Sequence, residues 1–386
     1  MKNILFVLYE DFYCNSALHV HHFANNLVKL GLDCVVSVPK NKLTVSVVTE
    51  NSANLYKVTQ FNELYKLNEY FNNQKGPDII HAWTPRELPR IYCNKVRKAY
   101  NSKLIIHLED NEEHIVERYL NKPFKELLLE TKPFSLPEYI SHPKHHREFL
   151  ESADGVTVII ERLKEFVPPN IPSLILWPGV DTNYFFPRQP NQEIARRFNV
   201  PKDSLVFCYT GNVHAANTLE VRSLYLAVAV LNREGKKAVL IRTGQDMCNF
   251  LGEDDRWARQ YSIELGHIPR QLIPEVLSLA TVLIQPGRQD PFNNYRFPSK
   301  LPEFLAMGKP TILPATNIGL KMEHKKDALV LPIVDATAIV DAVEMLEKDS
   351  LLRENLSEGS HNFALKNLDW HQNTQFLKSF YESQGR

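Results

Sequence analysis

The sequence predicts an α/β chain made of two doubly wound units in tandem. Short, continuous apolar runs bounded by turn residues recur along it, the pattern of parallel strands buried on both faces. Segments of helical period alternate with those runs, which gives a repeated β-α-β order. A length of 386 residues is enough for two or three domains that each bury a core.

In the first half the apolar runs are NILFVLY, DCVVSVP, DIIHAW, KLIIHLE, GVTVII and SLILWP. The opening run is too short for a secretory signal and lacks a small-residue cleavage site, so it reads as a first buried strand. Val20, Phe23, Ala24, Leu27 and Leu30 repeat at helical spacing, which predicts a helix from His19 to Leu30 closed by Gly31. A second series follows Pro187: SLVFCYTG, KAVLIRTG, YSIELG, TVLIQPG, PTILPA and ALVLP, with an amphipathic helix from Glu220 to Glu234 among them. Between the series, VDTNYFFPRQP breaks periodicity and places a linker near Gly179 to Pro190. The expected divisions are therefore 1–182, 183–368 and a terminal segment 369–386, in which Trp370 to Ser383 forms a helix with no strand after it.

Charge and cysteine content narrow the function. The 45 Lys and Arg balance the 45 Asp and Glu, with 21 of each sign up to Val180 and 24 of each beyond it. Neither half carries a basic field, which argues against nucleic acid or an anionic bilayer as the main partner. Five cysteines without CxxC spacing argue against a disulfide framework or zinc ribbon and point to a reducing cytoplasm. The histidine groups His19, His21, His22 and His142, His145, His146 lack a carboxylate at a recognisable ligand spacing, so no metal is expected.

Ligands of doubly wound units sit outside the carboxyl ends of the strands. The most informative such segment is QPGRQDPFNNYRFPSKLPEFLAMGKPTILPAT, from Gln285 to Thr316. Ser299 is the expected N-cap of a helix from Lys300 to Met307, Pro302 lies in its first turn, and Gly308 follows its end. Lys300 and Glu303 then share one face near the helix N-terminus. A lysine beside open amides suits a diphosphate, and a carboxylate one turn on suits ribose hydroxyls. The same spacing also describes a plain i,i+3 surface ion pair, and spacing alone leaves both readings open.

The segment RFPSKLPEFLAMGKPTIL resembles the donor-site signature of glycosyltransferase family 4 and related enzymes of the GT-B fold. ADGVTVIIERLKEF, LILWPGVDTNYFFP, FCYTGNV, LIRTGQ and YSIELGHIPRQLIPEVLSLATVLIQP resemble further landmarks of that family in the same order, over most of Ala153 to Pro314. The resemblance implies two Rossmann-like domains facing a central cleft, with the C-terminal helix crossing back to the first. It implies transfer of a hexose-type sugar from a nucleotide-diphosphate donor, such as a UDP- or GDP-sugar, to the hydroxyl of a glycan, lipid-linked or small-molecule acceptor, with retention and without metal or other cofactor. Glu303 falls at the family's ribose-binding glutamate and Lys300 at its phosphate-contacting lysine. Gly211 and Asn212 fall at the turn that approaches the diphosphate, and Arg242 follows the next strand as a phosphate candidate.

The chain also departs from the pattern. Tyr295 stands where many members keep an acidic residue, and Asn212 and Asn217 stand where many have cations. Asn293 or Asn294 with Arg296, Phe297, Pro298, Ser299 and Lys300 fits a variant form of the motif. In the first domain, Asn15 and Ser16 occupy the place of a usual glycine pair. The family places a histidine or acidic residue near the transferred sugar, which makes His107 a catalytic candidate alongside Glu303; Asn15, Ser16, His81 and Glu109 are acceptor-side candidates. The insertion Asn121 to Phe149 reads as a lid or, through Phe124, Leu127, Leu128, Leu129 and Phe134 among lysines, as a peripheral contact at the inner membrane surface. A nucleotide-sugar epimerase of the same fold and a non-catalytic nucleotide-sugar or glycan-binding module remain alternatives.

Overall fold

The computed structural model describes residues 2–49 and 53–384. Its contacts separate into two compact units. One comprises the residues up to Pro178 together with those from Trp370 onward, and the other runs from Gly179 to Asp369. The first crossing thus falls four residues before the expected division at 182, and the second falls between Asp369 and Trp370.

The first unit holds strands β1 (Asn3–Leu8), β2 (Asp33–Val38), β3 (Lys57–Gln60), β4 (Ile79–Trp83), β5 (Lys103–Leu108), β6 (Gly155–Val158) and β7 (Ser173–Ile175). They form one parallel sheet in the order β3-β2-β1-β4-β5-β6-β7. Every residue of β1, β2 and β4 is buried, which is why these segments are mostly apolar and do not alternate. The edge strand β3, KVTQ, carries no such run and is not legible in the sequence.

The first helix spans Asn15–Lys29 and so begins four residues earlier than expected. Ser16 and His19 on its first turns are buried against a carboxylate instead of the apolar core, so the hydrophobic period misses them. The C-terminal helix, Trp370–Ser383, packs on this first helix. Trp370 stacks on His22 at 4.5 Å and meets Phe23 edge-on at 5.1 Å, while Leu377 and Tyr381 are buried in the same core. A Cβ at Gly155 would come within 2.8 Å of Phe380 Cζ, so the glycine in β6 lets this helix lie against the sheet.

Within the insertion, Phe124 and Leu127 are buried with Val116 and Ile140 in a small satellite cluster, and Leu128 and Phe134 pack against it. These side chains are spent on the fold of the insertion and are not presented as a membrane face; Leu129 alone of the five is strongly exposed. Among the described residues no helix is long and apolar enough to cross a membrane.

The second unit repeats the plan. Strands β8 (Leu205–Thr210), β9 (Ala238–Thr243), β10 (Ser262–Gly266), β11 (Val282–Ile284), β13 (Thr311–Pro314) and β14 (Leu329–Leu331) form a parallel sheet ordered β10-β9-β8-β11-β13-β14. A short antiparallel pair, β12 (Gly287–Arg288) with β15 (Ile333–Val334), forms a separate two-stranded sheet beside β13. The helix expected from Glu220 to Glu234 spans Thr218–Arg233.

Candidate functional site

In the second unit, polar side chains gather at the carboxyl ends of β8 and β9. Gly211 follows β8 with φ +132° and Gly244 follows β9 with φ +91°. A Cβ on Gly244 would lie 2.5 Å from the carbonyl carbon and oxygen of Gly211, so only glycine lets the two turns touch backbone to backbone. Lys300 covers Gly211: a Cβ there would lie 3.6 Å from Lys300 Cε and 3.7 Å from its Nζ. The ammonium donates to the Tyr209 hydroxyl at 3.2 Å and sits 4.3 Å from the ring centroid.

Lys300 and Glu303 do not pair with each other. Glu303 Oε1 accepts from Arg270 Nη2 at 2.7 Å, while Lys300 has no carboxylate partner among the described residues. The two side chains thus have separate roles, and the second carboxylate oxygen of Glu303 has no partner among the described residues.

The helix that carries them is Leu301–Ala306, shorter than expected at both ends, and Ser299 makes no cap. Ser299 is exposed. The amide of Leu301 is bonded to Pro298 O and Pro302 has none, so the expected row of open amides is largely absent. Positive charge at this site comes from side chains instead.

Arg296 is a second cation, its charge partly offset by Glu220. It stacks on the Phe292 ring at 4.0 Å and donates to Asn293 Oδ1 and to Glu220 Oε2, the latter at 2.8 Å. Asn293 is buried and also held by Asp290, and Asn294 Oδ1 accepts from Thr316 at 2.9 Å, so both asparagines brace the loop that presents Arg296. His214 completes the group: desolvation, then the Arg296 and Lys300 cations, lower its pKa. Asn217 accepts from the His214 amide at 2.8 Å and donates to Asn212 O at 3.1 Å, and Asn212 Oδ1 accepts from the Gln245 amide at 2.8 Å. Asn212 and Asn217 thus clamp the turn.

Arg242 is a correction. It lies inside β9, 4% exposed, with Nε on Glu264 at 2.8 Å and Nη2 on Asp246 at 2.6 Å. Its charge is committed to two carboxylates and is not presented beside Gly211.

In the first unit, the focus is Glu109, just past β5. Its Oε1 accepts from Trp83 Nε1 at 2.6 Å and from His19 Nδ1 at 3.0 Å, and its Oε2 accepts from Ser16 Oγ. Burial pushes the carboxyl up, but His19 above all, then His107 and the Ser16 hydrogen bond, outweigh it and hold the pKa down at about 2. His107 lies in β5, fully buried, with its ring 4.0 Å from that of Trp83. Burial lowers its pKa to about 3, so the ring is neutral near pH 7. Its Nδ1 meets Thr157 Oγ1 at 2.7 Å, while Nε2 is buried without a hydrogen-bond partner and lies 4.0 Å from Glu109 Oε1.

His81 is a second correction. It is fully buried in β4, with Nδ1 on the Tyr381 hydroxyl at 2.6 Å and Nε2 on Thr157 Oγ1 at 3.0 Å. No face of it is open to an acceptor. Asn15 is exposed at the start of the first helix, whereas Ser16 is drawn in by Glu109.

Sequence reasoning missed Tyr209, His214 and Arg270 in the second unit and the roles of Trp83 and His19 in the first. Tyr209 and Trp83 sit at the ends of apolar strands and look like core. Arg270 and His214 lie in turns with no periodic signal, and only their distance from the strand ends marks them.

No family profile matches the chain, and no curated protein matches it in sequence. Solved structures do match in fold. Sucrose-phosphate synthase from Thermosynechococcus elongatus is similar at 15% identity and TM-score 0.71, with 99% of each chain covered. HepE of Anabaena, solved in complex with UDP and glucose, is similar at 10% identity and TM-score 0.72, over 99% of this chain and 100% of its own. A glycosyltransferase from Rickettsia africae is similar at 11% identity and TM-score 0.71, over 100% of this chain and 99% of its own. Two Rossmann-like units with parallel sheets, matched end to end by these structures, give this chain the GT-B fold.

Proposed function

We propose that the chain is a glycosyltransferase that takes a sugar from a nucleotide-diphosphate donor and passes it to an acceptor hydroxyl. The observation that carries this reading is Lys300 laid over Gly211 without a carboxylate partner among the described residues, converging with Arg296 and His214 on one turn. Such a group favours a polyanion, and its positive charge would meet the charge that develops on a departing diphosphate. The free oxygen of Glu303, one turn along, suits a ribose hydroxyl. Support from outside the site is the fold shared with HepE, whose structures contain UDP, glucose and UDP-glucose.

In this reading charge is compensated by protein cations, transfer needs no metal, and the product retains the donor's anomeric configuration, as in glycosyltransferase family 4. Within the first unit His107 would contact the sugar or acceptor, and Glu109, whose oxygens Trp83, His19 and Ser16 already hold, would orient the residues around it, in a cytoplasmic enzyme. The experiment is a thermal-shift screen of the protein against UDP, GDP, ADP and their sugar conjugates with EDTA present, followed by assay of the best binder for sugar release and analysis of the released anomer. A ligand that binds only the folded state raises Tm. A shift confined to one base, with release of its sugar, supports the reading. No shift with any nucleotide overturns it, and a shift without sugar release favours a binding module.

A further inference from the structure

The polar atoms buried beside His107 form a single chain. From the C-terminal helix inward it runs Tyr381 Oη, His81 Nδ1 at 2.6 Å, His81 Nε2, Thr157 Oγ1 at 3.0 Å, then His107 Nδ1 at 2.7 Å. Each of the four side chains is fully buried. His107 and Thr157 are register partners on β5 and β6, and His81 lies on β4.

We propose that Tyr381 and Thr157 are positioning residues which, through His81, hold His107 as the Nε2–H tautomer, so that it serves a ligand oxygen as a hydrogen-bond donor and never as a base.

The direction follows from accounting for every proton. The Tyr381 hydroxyl has one hydrogen-bond partner among the described residues, His81 Nδ1. A buried phenol that accepted there would leave its own hydrogen without an acceptor, at a cost on the order of 1–3 kcal/mol. It therefore donates, and His81, neutral because burial lowers its pKa well below the ordinary value, carries its proton on Nε2. That proton goes to Thr157 Oγ1, whose hydrogen is then free to go to His107 Nδ1. The neutral His107 ring must keep its proton on Nε2.

Every other arrangement strands a second group: with both imidazoles donating to Thr157, the threonine hydrogen has no acceptor, and with the chain reversed, the Tyr381 hydrogen has none. Electrostatics favour the same tautomer. His107 Nε2 faces the Glu109 carboxylate at 4.0 Å, and an N–H is attracted there while a lone pair is repelled. That distance is too long for a hydrogen bond, so Nε2–H is the one unsatisfied donor of the four side chains, buried here and reached by a ligand oxygen, such as a sugar hydroxyl, only when the side chains around it move aside. The assignment of that oxygen to a sugar rests on the glycosyltransferase reading; the tautomer does not.

The test uses full-length protein labelled with ¹⁵N-histidine and long-range proton–nitrogen correlation, with His107 identified by the signals lost in His107→Gln. The expected result is one His107 signal set with Nε2 protonated and Nδ1 bare. Thr157→Val should lose that single tautomer and show a second His107 signal set, Thr157→Ser should restore the single set, and Tyr381→Phe should disturb His81 and His107 together. A wild-type ring protonated on Nδ1 overturns the proposal, as does an unchanged single tautomer in both Thr157→Val and Tyr381→Phe. Thermal shifts with UDP, GDP and ADP on the same samples separate the two questions. A failure to bind any of them sinks the donor-site reading and leaves the tautomer result standing, whereas nucleotide binding with the opposite tautomer sinks only this proposal.

Discussion

Lys300 Nζ rests 4.3 Å from the centre of the Tyr209 ring and 3.2 Å from its hydroxyl, above the backbone of Gly211. A lysine in a turn is ordinarily mobile and solvated, but here the aromatic side chain at the end of β8 fixes where its charge is. The contact costs the ammonium little, because a ring face and a neutral hydroxyl leave the positive charge uncancelled for a ligand.

Lys300→Ala should therefore weaken nucleoside diphosphate binding about tenfold to a hundredfold, the equivalent of one hydrogen bond to a charged group at about 1.5–3 kcal/mol. Unfolding stability should change little, since the side chain is only partly buried. Tyr209→Phe keeps the ring and should lose less affinity than Lys300→Ala. Calorimetric titration with the nucleotide found in the screen checks both, and equal affinity in wild type and Lys300→Ala would remove Lys300 from the site.

Gly244→Ala should be among the most damaging single changes in the second unit. It combines a positive φ with a 2.5 Å approach to backbone atoms of Gly211 that cannot move as a side chain can. Gly235→Ala is the control, with φ +86° and nothing within 4 Å of the added methyl, and should cost only about 1–2 kcal/mol of backbone strain. Denaturant titration of both should show Gly244→Ala clearly the worse; comparable losses would mean that the contact between the turns relaxes easily.

The first unit should lose stability in acid in two stages. His107 has a folded pKa lowered to about 3, below its unfolded value of about 6.5, so the stability it supports is complete above pH 6.5 and falls as pH drops below that value. Glu109, held at about 2 against an unfolded value of about 4.3, adds a second loss below pH 4.3 that continues toward pH 2. Glu109→Gln should cost about 1–3 kcal/mol at neutral pH, because Ser16, His19 and Trp83 lose a charged acceptor, and should flatten the lower stage. Urea titrations from pH 3 to pH 8 read this directly. An unchanged lower stage in Glu109→Gln would place the acid sensitivity elsewhere.

His214 should report on anion binding. Desolvation and the neighbouring Arg296 and Lys300 cations depress its pKa in the free protein, and a bound diphosphate would offset the two cations and raise it. By linkage, binding should strengthen as pH falls through the range between the free and bound values. A histidine-resolved NMR titration with and without nucleotide checks the direction; an identical or lower pKa in the complex would place the phosphates away from this turn.

The sequence alone was enough for the strands of both parallel sheets other than the edge strand β3, and for the helices between them, because a strand buried on both faces is mostly apolar and a covering helix repeats every three to four residues. It determined the C-terminal helix, Trp370–Ser383, to the residue. It also marked Gly211, Arg296, Lys300 and Glu303 as the residues worth following. What it did not determine is what each side chain touches. Spacing left Lys300 and Glu303 either paired or separate, and only the arrival of Tyr209 from β8 and Arg270 from the turn after β10 separated them. Arg242 and His81 lie near strand ends where a ligand is expected, yet Glu264 and Asp246 from one side, and Tyr381 and Thr157 from the other, had already claimed them. These partners lie between 4 and 300 positions away along the chain, and most of them carry no periodic signal of their own. Burial and hydrogen-bond satisfaction are properties of the packed chain, so the difference between a ligand-facing residue and a structural one was decided by the tertiary structure.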